Sequence, residues 1–416
     1  MKIVKKVLKW IYKKIKLIFA KLFYLDIFKI QNNKIVFDNF LGKGYGCNPK
    51  YIAEEIIKEN LNYELVWLVK DMKIEMPYQI RKVKYGTIRA LYELATAKVW
   101  IDNVRNYKGI EKKEQQFYIQ TWHGSIGLKK VEQAVENELD PQYVVQAKND
   151  GKITNLMITN NINQYEDFKQ NYWYDGEVQC CGLPREDILY KNNEDIKEKV
   201  YKYFNIEENK KIVLYAPTFR NVSNYDAYMN KYEECCKVLK EKFLFDYIML
   251  IRMHPNVIFD SNFVKYNENI KNATMYQDVQ ELISVADVVI TDYSSVAFEA
   301  GIVNKKVFLI AKDFDNYIEK ERKFKFELKD IPFKIAKTEN ELIENIKNFS
   351  YNEYKQKLKV FYDMIGYKYN DNASEYIVKR IKNEIEAGDE NYENRKNKKG
   401  NQRKKSFCNI KEKNKR

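Results

Sequence analysis

The chain runs to 416 residues, 45% of them hydrophobic, which is enough to enclose two separate α/β cores. Its formal charge of +14 sits at the ends: residues 1–30 carry nine Lys against one acid and 391–416 carry eleven Lys and Arg against two, which leaves 31–390 at about −3. A body of that charge is excluded as a broad nucleic-acid platform, and the basic termini point instead to an anionic bilayer.

The opening stretch, plotted at ~100° per residue, gathers Lys2, Lys5, Lys6, Lys9, Lys13 and Lys16 on one side and Ile3, Val4, Val7, Leu8, Ile11, Ile15, Ile18 and Leu22 on the other. A basic face opposite an apolar one, with Trp10 at headgroup level, predicts a membrane-surface helix within 1–30. The competing reading is a helix docked on its own domain. The segment lacks an apolar run near ~20 residues and a small-residue cleavage site, so neither a spanning helix nor a signal peptide is expected. Cys47, Cys408 and the adjacent pairs Cys180–Cys181 and Cys235–Cys236 match no zinc spacing and no secreted disulfide framework, and fit a reducing cytoplasm.

From about residue 33, short apolar runs alternate with helical stretches. KIVFDNF is followed by a helix with Asn48 as N-cap and Pro49 in its first turn, then YELVWLVK, a helix near 87–97, KVWIDN, FYIQTW and NLMITN. A second series holds KKIVLYAP, DYIMLIRMHP, a helix near 278–286, DVVITDYSS, a helix from about Ser295, and KKVFLIAKD. This alternation predicts an α/β fold of two doubly wound Rossmann-type domains, 31–195 and 196–385, that face a cleft at the carboxyl ends of their strands. Residues 386–416 read as a basic, disordered tail.

The chain has only two histidines, His123 and His254, each directly after an apolar run and therefore at the cleft. A lone His is more often structural; two at corresponding strand ends favour catalysis. Gly124, Ser125 and Lys129 follow the first and are candidate acceptor or phosphate contacts. Arg252, two residues before His254 in a predicted strand, shares its face and suits a common anion. Thr291, Asp292, Ser294 and Ser295 form a hydroxyl-rich helix start whose free amides suit a pyrophosphate, although the bland reading is an ordinary N-cap. Thr218 and Arg220 complete the phosphate-side candidates. Walker, GxGxxG and HExxH patterns are absent from the sequence, so no structural metal is expected.

The ordered set Asn48-Pro49-Lys50-Tyr51, Thr121-Trp122-His123-Gly124 with Leu128-Lys129, Gly182-Leu183-Pro184-Arg185, Ala216-Pro217-Thr218-Phe219-Arg220, Arg252-Met253-His254-Pro255 and Thr291-Asp292-Tyr293-Ser294-Ser295 resembles the CDP-glycerol glycerophosphotransferases of teichoic acid synthesis over roughly 33–370. The resemblance implies a GT-B-like fold, a CDP-polyol donor such as CDP-glycerol, a lipid-linked polymer acceptor and a site at the cytoplasmic face of the membrane. It makes His123 and His254 the catalytic candidates and associates Arg252, Ser294 and Ser295 with the donor phosphates. Gly46-Cys47 and Arg322-Lys323-Phe324-Lys325 depart from the family's usual pattern, which bears on the acceptor side.

The reaction so implied is attack of an acceptor hydroxyl on the phosphorus next to the polyol, with CMP leaving. His123 is the expected general base, and His254 with Arg252 the charge stabilisers. No cofactor is expected; Mg2+ beside the donor phosphates stays open. The alternatives are a GT-B glycosyltransferase using a nucleotide sugar and a non-catalytic membrane-bound binding module. No residue reports the polyol, processivity or oligomeric state.

Overall fold

The computed structural model describes residues 2–25, 28–106, 109–124, 126–218, 227–253, 264–314, 325–327 and 329–387. Ser125, Arg220, His254, the 322–324 segment and nearly all of the basic tail lie outside the described residues.

Two parallel sheets organise the chain. The first contains β1 (Gln31–Asp38), β2 (Glu64–Val69), β3 (Ile80–Lys84), β4 (Ala97–Asp102), β5 (Phe117–Gln120), β6 (Leu156–Thr159) and β7 (Glu177–Cys180), in the order β3-β2-β1-β4-β5-β6-β7. The second contains β8 (Lys211–Tyr215), β9 (Tyr247–Ile251), β10 (Ile270–Asn272), β11 (Val288–Thr291), β12 (Lys306–Ile310) and β13 (Ile335–Ala336), in the order β10-β9-β8-β11-β12-β13. Strands such as Leu65–Val69 and Tyr247–Ile251 are apolar and buried throughout, as strands covered on both faces must be. The order reverses between β1 and β4 and between β8 and β11, and crevices open beyond such switch points. The architecture is GT-B-like.

The chain does not divide cleanly along its length. Helix 373–387 returns to the first half, where Ile377, Val378, Ile381 and Ile385 pack with Ile35, Phe37 and Ile52. In the other direction, Tyr51, Ile126 and Leu128 join the core beneath the second sheet.

The helix predicted to start at an Asn48 cap instead spans Cys47–Lys58, with Gly46 at the cap position and no side-chain cap. Asn48 is drawn fully into the interior by partners far along the chain. β9 stops at Ile251, so Arg252 follows the strand rather than lying within it, and the predicted pairing of its face with that of His254 lies outside the described residues.

The first helix spans Lys2–Tyr24. Phe19, Ala20 and Phe23 dock it against Leu91 and Leu94 of helix Ile88–Thr96. Val7, Leu8, Trp10, Ile11, Ile15, Ile18 and Leu22 stay 40–61% exposed, so the docked face and the Ile/Leu stripe are different sides of one helix. Among the described residues no helix is long and apolar enough to cross a membrane.

Candidate active site

His123 sits in the turn after β5. Thr121 donates its amide (2.8 Å) and its hydroxyl (3.0 Å) to the Asp102 carbonyl at the end of β4. Trp122 takes a positive φ of 54°, a costly conformation for a bulky side chain. Its amide donates to Gln120 Oε1 at 3.1 Å, and its ring packs edge-on against Tyr172 and beneath the Arg105 guanidinium. Arg105 is in turn fixed by Asp150 at 3.1 Å and Glu132 at 3.2 Å.

The half-buried His123 ring has Nδ1 2.7 Å from the Asn103 carbonyl. A carbonyl only accepts, so Nδ1 carries the proton and Nε2 presents its lone pair. Burial, opposed in part by that hydrogen bond and reinforced by the nearby Arg185 charge, lowers the imidazole pKa to about 4. His123 is therefore a neutral acceptor at neutral pH.

The carbonyls of the turn are held from outside. Asn48 Nδ2 donates to the Thr121 (3.2 Å) and Trp122 (3.0 Å) carbonyls, and Arg185 Nη1 donates to that of His123 (2.8 Å). Arg185 also donates its own amide to Asn48 Oδ1 at 3.0 Å and pairs with Glu299 at 2.5 Å. Glu299 belongs to helix Val296–Ile302 in the second half. A β-carbon built on Gly124 would stand 3.3 Å from Ser295 Oγ and 3.9 Å from Glu299 Oε1, so the two halves meet at His123–Gly124 and Ser295.

On the second half, Thr291 is buried and its hydroxyl donates to the Ala216 carbonyl at 2.6 Å. Asp292 accepts from the Thr218 amide at 2.9 Å and from its hydroxyl. These three residues thus fix the loops after β8 and β11. The amides of Val296, Ala297 and Phe298 are bonded to Ser294 Oγ, Ser294 O and Ser295 O. Those three amides are therefore taken within the turn, and Ser295 makes no side-chain cap.

Arg252 anchors its amide on the Tyr215 carbonyl at 2.8 Å and reaches the Tyr276 carbonyl with Nη2 at 3.4 Å. Its buried Nε finds no partner among the described residues. Burial, with Arg185 adding to it and Asp278 opposing, lowers its pKa. Lys129 is half-buried beside Leu128, whose carbonyl accepts from the Lys325 amide at 2.6 Å. Among the described residues no cluster of His, Cys, Asp and Glu is arranged to hold a metal ion.

Deeper in the cleft, Lys50 pairs with Asp278 at 2.7 Å and Glu281 at 2.9 Å across the two halves, and Tyr51 donates to Asp278 at 2.9 Å. Burial works against the Asp278 carboxylate, but Lys50, the Gln280 amide and Tyr51 outweigh it and hold its pKa below the ordinary value. Lys50, Arg185, Asp278 and Glu299 carried no assigned role in the sequence reading, since each acquires its partners only through the fold. The sole signal was that Lys50 and Arg185 stand in recognised motifs.

The family model for CDP-glycerol:poly(glycerophosphate) glycerophosphotransferase matches residues 19–383. The teichoic acid poly(glycerol phosphate) polymerase of Staphylococcus epidermidis is 30% identical over 377 residues, covering 86% of this chain and 51% of that protein. The teichoic acid glycerol-phosphate transferase of Staphylococcus aureus is 28% identical, over 85% of this chain and 94% of that protein. The chain spans about half the length of the first curated relatives it matches, 51% and 49%. The solved wall teichoic acid polymerase TagF superposes with a TM-score of 0.78 at 29% identity, covering 92% of this chain and 97% of the other, and a TagF variant soaked with CDPG matches equally well at 0.78, with 29% identity over 92% of this chain and 98% of that one.

Proposed function

The chain belongs to the CDP-glycerol:poly(glycerophosphate) glycerophosphotransferase family, and on that premise we propose that it moves a glycerol-phosphate unit from CDP-glycerol to a lipid-linked cell-surface polymer, releasing CMP. The observation that carries this reading is the unprotonated Nε2 of His123, fixed by the Asn103 carbonyl at 2.7 Å in a turn that abuts Ser295. The relatives' names and the CDPG-soaked TagF variant support the donor.

In this mechanism the acceptor oxygen attacks the phosphorus bearing glycerol. The P–O bond to the cytidylyl phosphate breaks, CMP leaves with the bridging oxygen, and the hydroxyl proton passes to His123 Nε2. A pKa near 4 makes His123 a weak base in the empty site. The negative donor pyrophosphate beside it raises that value toward the working range, so the base is strengthened when the donor is in place. Arg252, whose buried Nε has no partner among the described residues, suits the donor phosphates, with Ser294 and Ser295 as hydroxyl ligands. His254, outside the described residues, keeps its role as second catalytic candidate from the motif resemblance. The division into 31–195 and 196–385, with 373–387 as a returning strap, belongs to the same proposal.

Peripheral binding at the cytoplasmic membrane face is supported by the exposed Ile/Leu stripe of the first helix and its Trp10. Phe19 and Phe23 tether that helix, which would keep the cleft near the lipid-linked acceptor.

The test is a donor panel of CDP-glycerol, CDP-ribitol and nucleotide sugars, each with a lipid-linked acceptor. Acceptor-dependent CMP from CDP-glycerol is expected. CMP from CDP-ribitol alone would change the polyol, UDP or GDP from a sugar would make the protein a glycosyltransferase, and no release from any donor would favour a binding module.

A further inference from the structure

We propose that Arg185 is a positioning residue that, through Glu299, ties the turn carrying His123 to the Ser294–Ser295 turn, so that base and donor-phosphate ligands are aligned as one unit. This inference rests on reading His123 as the base. It gives a role to the Gly182-Leu183-Pro184-Arg185 motif, which the proposed chemistry leaves unused.

Three consecutive carbonyls, of Thr121, Trp122 and His123, accept hydrogen bonds from two side chains distant in sequence, Asn48 and Arg185, besides the local bond from the Thr121 hydroxyl to the Trp122 carbonyl. Those two are themselves joined, since the Arg185 amide donates to Asn48 Oδ1 at 3.0 Å. The guanidinium then spans three partners: Nη1 reaches the His123 carbonyl at 2.8 Å and Cys47 Sγ at 3.2 Å, and Nη2 lies 2.6 and 2.5 Å from the two Glu299 oxygens. A planar fork with fixed donor directions can hold such a set, and a Lys ammonium cannot hold it with the same geometry. Gln280 Nε2 also donates to Glu299, which fixes the carboxylate from the second half.

A pair this deeply buried, with side chains 6% and 3% exposed, is a poor way to stabilise an interface. Desolvation of two charges offsets most of their attraction, and an apolar pair of similar volume often serves stability as well or better. The pair does achieve registration. The His123 carbonyl at one end and the helix after Ser295 at the other are linked through a single side chain, where Gly124 leaves room for Ser295 Oγ.

The experiment uses the full chain and the variants Arg185→Lys, Glu299→Gln and the double variant Arg185→Met/Glu299→Met, which removes both charges and strands neither. Four quantities are read: the urea midpoint, kcat and KM for CDP-glycerol, and the NMR titration of selectively labelled histidine, of which the chain has two. The double variant is expected to unfold at or above the wild-type midpoint while kcat falls on the order of 10²-fold, as misplacement of a catalytic group does, with KM little changed. The His123 resonance should shift and titrate at higher pH, since the Arg185 charge no longer opposes its protonation. Arg185→Lys should recover part of kcat. A stable double variant with wild-type kcat, or a His123 resonance and titration unmoved in every variant, overturns the proposal. Should the double variant not fold, a Glu299→Gln protein with wild-type kcat and His123 resonance overturns it equally. If CDP-glycerol is not turned over even by wild type, while the His123 resonance moves in the Arg185 and Glu299 variants, the donor reading fails and the coupling stands.

Discussion

The Nδ1 atom of His123 lies 2.7 Å from the carbonyl oxygen of Asn103, and this one contact decides which face of the imidazole does chemistry. It places the proton on Nδ1 and the lone pair on Nε2. Burial then keeps the ring neutral, with a pKa near 4.

The same depression is a stability statement. Between about pH 6.5 and pH 4 the unfolded histidine takes up a proton that the folded one resists, so stability is complete above that window and is lost as pH falls through it. The His123 contribution lost is about 3 kcal/mol. Urea titrations at pH 7 and pH 4 should show wild type losing about that much more than His123→Gln.

Glu186 titrates in the opposite sense. Burial, with the neighbouring Glu299 charge adding to it, pushes its carboxyl up to about 8 against the partial relief of Asn160, Arg185 and Tyr367. The unfolded chain ionises this group near pH 4.5 while the fold keeps it protonated, so native stability falls as pH rises from about 4.5 to 8. Glu186→Gln removes the titration and should raise the unfolding free energy at pH 8 by on the order of 4 kcal/mol. The gain should vanish near pH 4.5. An equal gain at both values would contradict the assignment.

Lys50 holds the halves together from inside. Lys50→Met leaves Asp278 and Glu281 buried with less counter-charge, although Lys199 still reaches Glu281 at 2.7 Å. The expected loss is about 3–5 kcal/mol, the cost of stranding a buried charge. Adding Asp278→Asn, which keeps an acceptor for the Gln280 amide, should return part of it. Urea unfolding of the single and double variants reads both.

The first helix separates docking from lipid contact. Ile11→Lys and Ile18→Lys alter side chains that are 41% and 59% exposed, so thermal stability should not change. Sedimentation with anionic vesicles should show each weakening binding by about tenfold, the worth of one buried aliphatic side chain. Phe23→Ala, at the docked face, should instead loosen the helix from the body and lower the melting temperature.

The sheet centres were legible in the sequence and the edges were not. Nine predicted apolar runs correspond to nine strands, while β3 (Ile80–Lys84), β7 (Glu177–Cys180), β10 (Ile270–Asn272) and β13 (Ile335–Ala336) went unread, and they are the four outer strands of the two sheets. Edge strands are short and tolerate charge, as in IRKVK and EVQC, so the apolar signal that marks a central strand is missing from them. The same limit explains Asn48. Its position before Pro49 reads as a cap by local rules, yet contacts 73 and 137 residues away claim the side chain for the His123 turn. The position of His123, the Arg252 cation and the hydroxyls at Ser294 and Ser295 could be named in advance because strand ends at a cleft can be; His254 lies outside the described residues. The buried ties of Lys50 and Arg185 could not, since their partners are set by how the halves meet.

The account stands most directly on the rate of acceptor-dependent CMP release from CDP-glycerol by wild type and by His123→Ala, at equal amounts of folded protein. It predicts steady release by wild type and a fall of about 10²–10⁴-fold in the variant, the range for loss of a general base. A His123→Ala protein that releases CMP at the wild-type rate would contradict it.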